Sequence, residues 1–372
     1  MLTGRDDHLG HQIPSTFDHV YTSDPLWTER LWFTLEDIRT GSTLVDCGLG
    51  QYPNKNVQDA FAGVTFEGKQ YNVRMSRVLR PESDKAKVGP LSFHLLEGMK
   101  RHRLLLEENQ SGLSFDIEWH GVFNPHEEEH HYRRRAGKVV EDLCRYSQVG
   151  RARGTITLPG GTTLTLTPDR WFAQRDHSWG IRTELRTEEG DPNKTYLPPY
   201  LYNWVVAQFP RYGLHVFFNE RAPKSYMFLS GEILKPLGEK PDRGLRLVGV
   251  EHELTWATET VNQTLEQGEL TLTCENGDVK ILHFRTLPGR YYLRSGMYGA
   301  WKGWYHGDYK GPYYFEHDVW DLSDQSLLKR IGTFSDHVIE CQTDGEVGYG
   351  VIECGVTAGY PRYQQVQHLP PF

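Results

Sequence analysis

Cysteine is scarce in this chain. Five are scattered over 372 residues, at 47, 144, 274, 341 and 354, with no C-x-x-C pair and an odd total. That argues against a disulfide framework or a zinc knuckle and fits reduced intracellular thiols. Long apolar runs are missing too. The longest, around LYNWVVAQF (201–209), falls far short of the ~20 residues that a spanning helix needs. The opening segment MLTGRDDHLGHQIPSTF has no apolar core, so no secretory leader is expected and a cytoplasmic location is. Positive charge is in deficit: 41 Lys and Arg stand against 49 Asp and Glu, a formal net charge of −8. A nucleic-acid partner, whose footprint is basic, is therefore not expected. RHR (101–103) and RRR (133–135) are short and flanked by acids, as solvated patches are. Helical periodicity is also rare. NVQDAFAG (56–63) reads as a short helix, and GKVVEDLCRYSQVG (137–150) is ambiguous.

Aromatics are abundant, with 10 Trp, 20 Tyr and 16 Phe, and they suit strands and apolar cavities. Alternating runs recur. TITLPGGTTLTLT (155–167) reads as a hairpin around Pro-Gly-Gly, and ENGD (275–278) supplies an Asn-Gly turn between two more strands. Short strands with turn signals every ten or so residues indicate a barrel or sandwich. Residues 88–120 find a diverged echo in 248–284, each opening on Val-Gly and passing an Asn-containing turn into an apolar strand. The echo suggests two similar β-domains in tandem, 1–150 and 151–372.

FNPHEEEHHYRRR (123–135) contains H-E-x-x-H, the zinc-peptidase pattern. That chemistry requires a docked helix, so that His i and i+4 share one face and the Glu acts as base. Here Asn124-Pro125 precedes the match and no apolar residue occurs before Tyr132. Such a helix has no face with which to dock. An exposed loop holding no metal is the expectation.

RWFAQRDHSWGIRTE (170–184) carries more. As a strand, it places Arg175, His177 and Trp179 on one face and Asp176 and Ser178 on the other. RDHSWGIR resembles the signature of the hydroxyneurosporene synthase (carotenoid 1,2-hydratase) superfamily. DHLGHQIPSTFDHVYTSDPLWTERLWF, CRYSQVGRARGTITLPG (144–160) and GYGVIECGVTAGYPRY (348–363) resemble segments of a bacterial branch of it.

The resemblance implies an all-β chain of two tandem lipocalin-like β-barrel or sandwich domains. It also implies chemistry without a cofactor on a hydrophobic small molecule, a terpenoid or lipid: hydration, cyclisation or pericyclic closure. Hydrating an alkene needs a protonated carboxyl in a dry site, with aromatic faces to stabilise the cation. Asp176 is the candidate general acid and His177 its orienter or a base. Trp179, Arg182, Trp204, Tyr298, Trp301, Trp304, His306, Tyr313 and Glu353 are the candidate substrate contacts. Several of these belong to the aromatic segment 297–320, where glycines at 299, 303, 307 and 311 recur every four residues, suggesting a close approach. Trp179 and Arg182 equally suit the Trp–Arg plug of a lipocalin-type barrel, and Asp176 a structural ion pair. Two alternatives remain beside the enzyme: a lipid or isoprenoid carrier of the same fold, and a carbohydrate binder on an aromatic platform. A homodimer is left open.

Overall fold

Side-chain alternation decides how the strands are used. Along Trp27–Asp37, Leu31, Phe33 and Leu35 join one apolar core while Trp32 joins another. The strand is therefore covered on both faces, and the reason is visible in the whole molecule, a computed structural model that describes residues 2–11, 13–135, 137–182, 199–257 and 259–366.

Two antiparallel sheets build the fold. The first runs in spatial order from Tyr313–Asp321 through Lys69–Val78, Val57–Phe66, Leu44–Tyr52, Trp27–Asp37, Trp171–Ile181, Lys138–Thr157, Ser114–Gly121, Arg101–Leu106 and Leu91–Glu97 to Lys87–Val88. It curls until its two sides approach, where Arg77 Nε donates to the Lys87 carbonyl at 2.7 Å. Phe33, Met75, Leu104, Trp119 and Ile156 fill the curl. The second sheet is a closed eight-stranded barrel that begins at Leu201–Gln208 and ends at Glu346–Val356, which pairs back onto the first strand. Val205, Phe218, Leu270 and Ile352 are in its core. The all-β, tandem lipocalin-like expectation holds. Among the described residues no helix is long and apolar enough to cross a membrane.

Both anticipated hairpins form: Thr155 pairs with Thr165, and Thr273 with Val279. Two local readings are corrected. NVQDAFAG is strand, not helix: Val57–Phe66 is buried on both faces, and small residues such as Ala60, Ala62 and Gly63 let it pack between two layers. GKVVEDLCRYSQVG resolves as part of the long strand Lys138–Thr157. Position 150/151 lies inside that strand, which belongs to the first sheet.

One connection ties the sheets together. Between the barrel strands Val279–Tyr292 and Ser335–Thr343 the chain leaves the barrel, and Tyr313–Asp321 pairs with Lys69–Val78 at the edge of the first sheet. Gly299, Gly303, Gly307 and Gly311 all have positive φ along this excursion, which glycine adopts without steric cost. Gly307 packs on the Tyr52 ring, and its N–H donates to Asp59 Oδ2 at 2.6 Å. The outer faces of sheet and barrel meet in a third apolar cluster that includes Trp32, Phe61, Trp204, Phe217 and Tyr291.

A candidate active site between the two sheets

Where the outer faces separate they leave a cavity of about 880 Å³. The first sheet contributes Arg30, Trp32, Arg145 and Asp176, the barrel Tyr202, Trp204, Phe217 and Glu353, and the excursion Met297, Tyr298 and His306. Register explains why these side chains converge. Trp32 pairs with Asp176 and Arg145 with Ser178, so all three side chains project from one sheet face. Trp204 pairs with Glu353, and Glu353 with Asp336, on the facing side of the barrel. A run of rings forms one wall. Tyr298 and Phe334 have centroids 6.3 Å apart, Phe334 and Tyr202 6.5 Å, Tyr202 and Phe217 5.3 Å, and Phe217 and Phe228 4.8 Å. Trp32 meets Trp204 edge-on at 5.4 Å across the sheets.

Besides Glu141, which pairs with Arg133, two carboxyls line this space, one from each sheet. Burial raises Asp176 above the ordinary carboxylate range, and the guanidiniums of Arg145 and Arg182 pull it back toward ionisation. Arg145 Nη1 is 4.0 Å from its Oδ2. Glu353 is raised well above its usual value by burial and by the neighbouring Asp336, against a hydrogen bond from Tyr202. Beside them, Asp46 and Asp336 face each other across the sheet junction. Both are fully buried and both are raised well above the ordinary range, chiefly by burial. Four acidic side chains thus gather in one poorly solvated zone, two from each sheet.

Glu128 is the ionised counterpart. It accepts from Arg145 Nε at 2.9 Å and Nη2 at 2.7 Å, from Ser147 Oγ at 3.2 Å, and pairs with His131 at 3.0 Å. His215 Nε2 lies 3.2 Å away, and burial lowers that imidazole to about 4. Although burial opposes it, this set holds Glu128 well below the ordinary range.

The H-E-x-x-H stretch is therefore not an exposed loop, contrary to expectation. It runs extended, with His126 and Glu128 buried. His126 bonds Glu232 and Ser230, each at 2.8 Å, whereas His130 points outward to Asp142. The stretch is not helical, and its two histidines turn to different surroundings, His126 buried and His130 exposed, so the peptidase geometry is absent. The apolar contacts it needed come from distant residues, such as Phe228 stacked on His131 at 3.9 Å.

Among the residues singled out from sequence, Asp176, Arg182, Trp204, Tyr298, His306 and Glu353 line the cavity. His177 does not. Alternation sends it to the opposite face, where it pairs with Glu29 at 2.9 Å. Trp179 lies on that face and is 39% exposed. Trp301 packs with Trp320, Trp304 with Tyr314, and Tyr313 is exposed at the sheet edge. Arg30, Trp32, Asp46, Arg145, Tyr202 and Asp336 escaped the sequence reading. One usable signal was present: Asp46 is the third residue of the strand LVDCGLGQY, between two apolar residues, where a buried carboxyl demands an explanation.

The chain belongs to a family of unknown function, DUF8625, whose profile matches residues 2–361. No curated protein sequence matches it. Among solved structures, a Nitrosomonas europaea protein provisionally called AttH is similar, with TM-score 0.55 and 13% identity over 91% of this chain and 94% of that one. CghA in complex with Sch210972 has TM-score 0.50 and 10% identity, covering 89% and 88%. Kievitone hydratase from Nectria haematococca has TM-score 0.41 and 11% identity, covering 88% and 89%. At these identities the likeness is one of fold.

Proposed function

We propose that this protein is a cofactor-independent enzyme of the hydratase or cyclase type, acting by general acid catalysis on a hydrophobic, terpenoid- or lipid-like molecule. The observation that carries the proposal is the pair Glu353 and Asp176, which face one cavity from opposite sheets, both raised by burial, Glu353 the further and Asp176 drawn back by Arg145 and Arg182. Such a split is how two carboxyls acquire separate acid and base roles. Glu353, next to another acid, stays protonated and is the proton donor. Asp176, beside Arg145, ionises more readily and is the acceptor. The sequence had offered Asp176 as the acid and His177 as its partner. Here Glu353 takes the acid's role and Asp176 the base's, because His177 faces away to Glu29.

The step balances without a further reagent. The Glu353 carboxyl gives its proton to one alkene carbon, and the π electrons form the new C–H bond. The cation at the other carbon is captured by water, which loses a proton to Asp176, or by a second π bond of the same molecule, after which the new ring cation loses a proton from the adjacent carbon to Asp176 and forms an alkene. The rings of Trp204, Phe217 and Tyr298 offer the cation their faces. A passive apolar carrier would not require two desolvated carboxyls, whose burial is costly. That CghA has been solved with the small molecule Sch210972 fits a ligand cavity in this fold.

Solvent-deuterium uptake tests the reading. Acyclic polyprenyl alcohols and acids of about 10–20 carbons, incubated with the protein in D₂O, should gain deuterium at carbon. Glu353→Gln should slow that uptake by about 10²–10⁴-fold. Retention of a prenyl compound with no uptake by the wild type would favour the carrier. Unchanged uptake in Glu353→Gln would remove Glu353 from the mechanism.

A further inference from the structure

The opening of the cavity has a composition of its own. Five of the described residues that line the cavity are exposed: Tyr132, Arg134, Arg221, Ser225 and Met227. Two are cationic, two are apolar and none is acidic. Tyr132 and Arg134 belong to the strand His131–Arg135, and Met227 to Tyr226–Leu234. Arg221 and Ser225 sit in the turn just before that second strand, where the Arg221 N–H donates to the Ser225 carbonyl at 3.0 Å. Further cations stand beside them. Arg133 and Arg135 also line the space, and Lys138 and Lys224 are exposed on the same hairpin and turn. Of these, Arg133 pairs with Glu141 at 3.1 Å and Lys224 with Glu251 at 2.8 Å, and such surface pairs are weak. From the sequence, RRR (133–135) read as a solvated patch. The fold makes it one side of a rim.

The rim is a local exception in a chain whose formal net charge is −8. Charges more than ~10 Å away are largely screened at physiological salt. A facing surface therefore feels mainly the side that it meets, and a negative surface would draw the cavity opening toward itself. Single apolar side chains are common on protein surfaces. Here Tyr132 is 56% and Met227 39% exposed, and both are set among arginines. Clustered Lys and Arg are attracted to anionic lipid headgroups, and tyrosine suits the boundary between headgroup and acyl chain, where its ring is buried and its hydroxyl wet.

The way inward is apolar. Phe228, the residue after Met227, begins the ring series that continues through Phe217, Tyr202 and Phe334 to Tyr298. A hydrophobic molecule that left an acyl layer at Met227 would meet aromatic faces on its way into the cavity that Glu353 and Asp176 also line.

We infer that this rim docks the protein on an anionic lipid surface, with the arginines at the headgroups and Tyr132 and Met227 at the acyl boundary, and that the hydrophobic substrate enters from there. What is delivered rests on the functional reading above. The docking itself rests on the composition of the rim.

Flotation of the full chain with lipid vesicles tests it, one set made of phosphatidylcholine alone and the other of equal parts phosphatidylcholine and phosphatidylglycerol. At about 0.1 M NaCl the anionic vesicles should bind at least about ten-fold more tightly, and about 0.5 M NaCl should remove most of that difference. Arg134→Glu and Arg221→Glu should each weaken binding to the anionic vesicles by at least about five-fold. Lys329→Glu makes the same charge change outside the rim, on the short helix Gln325–Ile331, and should bind as the wild type does. The double variant Tyr132→Ser, Met227→Ser should lose whatever binding survives high salt. All these side chains are exposed, so unchanged thermal midpoints would separate lost docking from misfolding. Equal binding to the two kinds of vesicle, binding to neither, or rim variants that behave as the wild type would overturn the inference. So would binding to immobilised polyglutamate as tight as to the anionic vesicles, which would make the partner an acidic protein. No turnover is measured, so vesicle binding can fail while deuterium uptake holds, and uptake can fail while vesicle binding holds.

Discussion

The carboxyl of Asp46, on the first sheet, meets that of Asp336, on the barrel, so two acids oppose each other across the junction of the two halves. Two carboxylates cannot hydrogen-bond to each other. One proton shared between them turns repulsion into a bond, and the pair then titrates as a unit. Protonation therefore favours this junction, where both carboxyls are raised.

The pH dependence of stability follows from that. Both carboxyls are raised in the folded protein, so their contribution is fully present below the ordinary aspartate value of about 4 and is lost as pH rises through the folded values. Asp336→Asn removes one buried charge and keeps a hydrogen-bond donor for Asp46. Its thermal midpoint, relative to wild type, should rise between pH 5 and pH 9. A difference that is the same at both pH values would mean the pair is not sharing a proton.

Glu36 and His102 should shape the two limbs of the stability profile. Burial raises Glu36 to about 8, against one hydrogen bond from Gln174 at 2.7 Å. Stability from this group is therefore lost as pH climbs from about 4.5 to about 8, by up to about 1.4 kcal/mol per pH unit. Burial against Phe33 and Trp119 lowers His102 to about 3. Its contribution is present above about 6.5 and falls away as the solution is acidified toward 3. Urea titrations at pH 4, 6 and 8 should show Glu36→Gln flattening only the alkaline limb and His102→Asn only the acid one.

The acidic segment 126–131 should split into sensitive and silent positions. Glu128→Ala leaves Arg145 buried without its carboxylate, a change that costs about 3–5 kcal/mol. His130→Ala, at a side chain 54% exposed, should stay within about 0.5 kcal/mol. Comparable losses at both positions would contradict the burial pattern.

Arg74 should control whether the excursion stays docked. Its side chain is fully buried, and it reaches Glu316 at 2.7 Å, Asp318 at 2.9 Å and the Ser295 carbonyl at 2.8 Å. Arg74→Met removes charge-assisted bonds worth about 1.5–3 kcal/mol each at most. Amide hydrogen exchange should speed up selectively across 313–321, while strands of the barrel such as Leu201–Gln208 keep their protection. A uniform increase would make Arg74 a general stability residue with no special hold on that strand.

The strands and their faces were legible in the linear chain because a period of two is a local property. Asp176 and His177 were separated correctly on that basis alone, and the turns at 158–162 and 275–278 could be read from their glycines. NVQDAFAG was misread because small residues buried on both faces leave no alternation to detect. The H-E-x-x-H stretch was misread because the partners that bury it, Arg145, His215, Phe228 and Glu232, are distant in sequence.

What the sequence determined by itself was therefore the class of structure: β-sheet, rich in aromatics, without a framework of disulfides, and with Asp176 and Glu353 on strands. What only the tertiary structure decided was the site. Asp46 and Asp336 are 290 positions apart along the chain, and Asp176 and Glu353 come from different sheets. A carboxyl's protonation and a guanidinium's attraction for anions depend on which groups exclude water from around them. In this molecule those groups come from two sheets packed outer face to outer face.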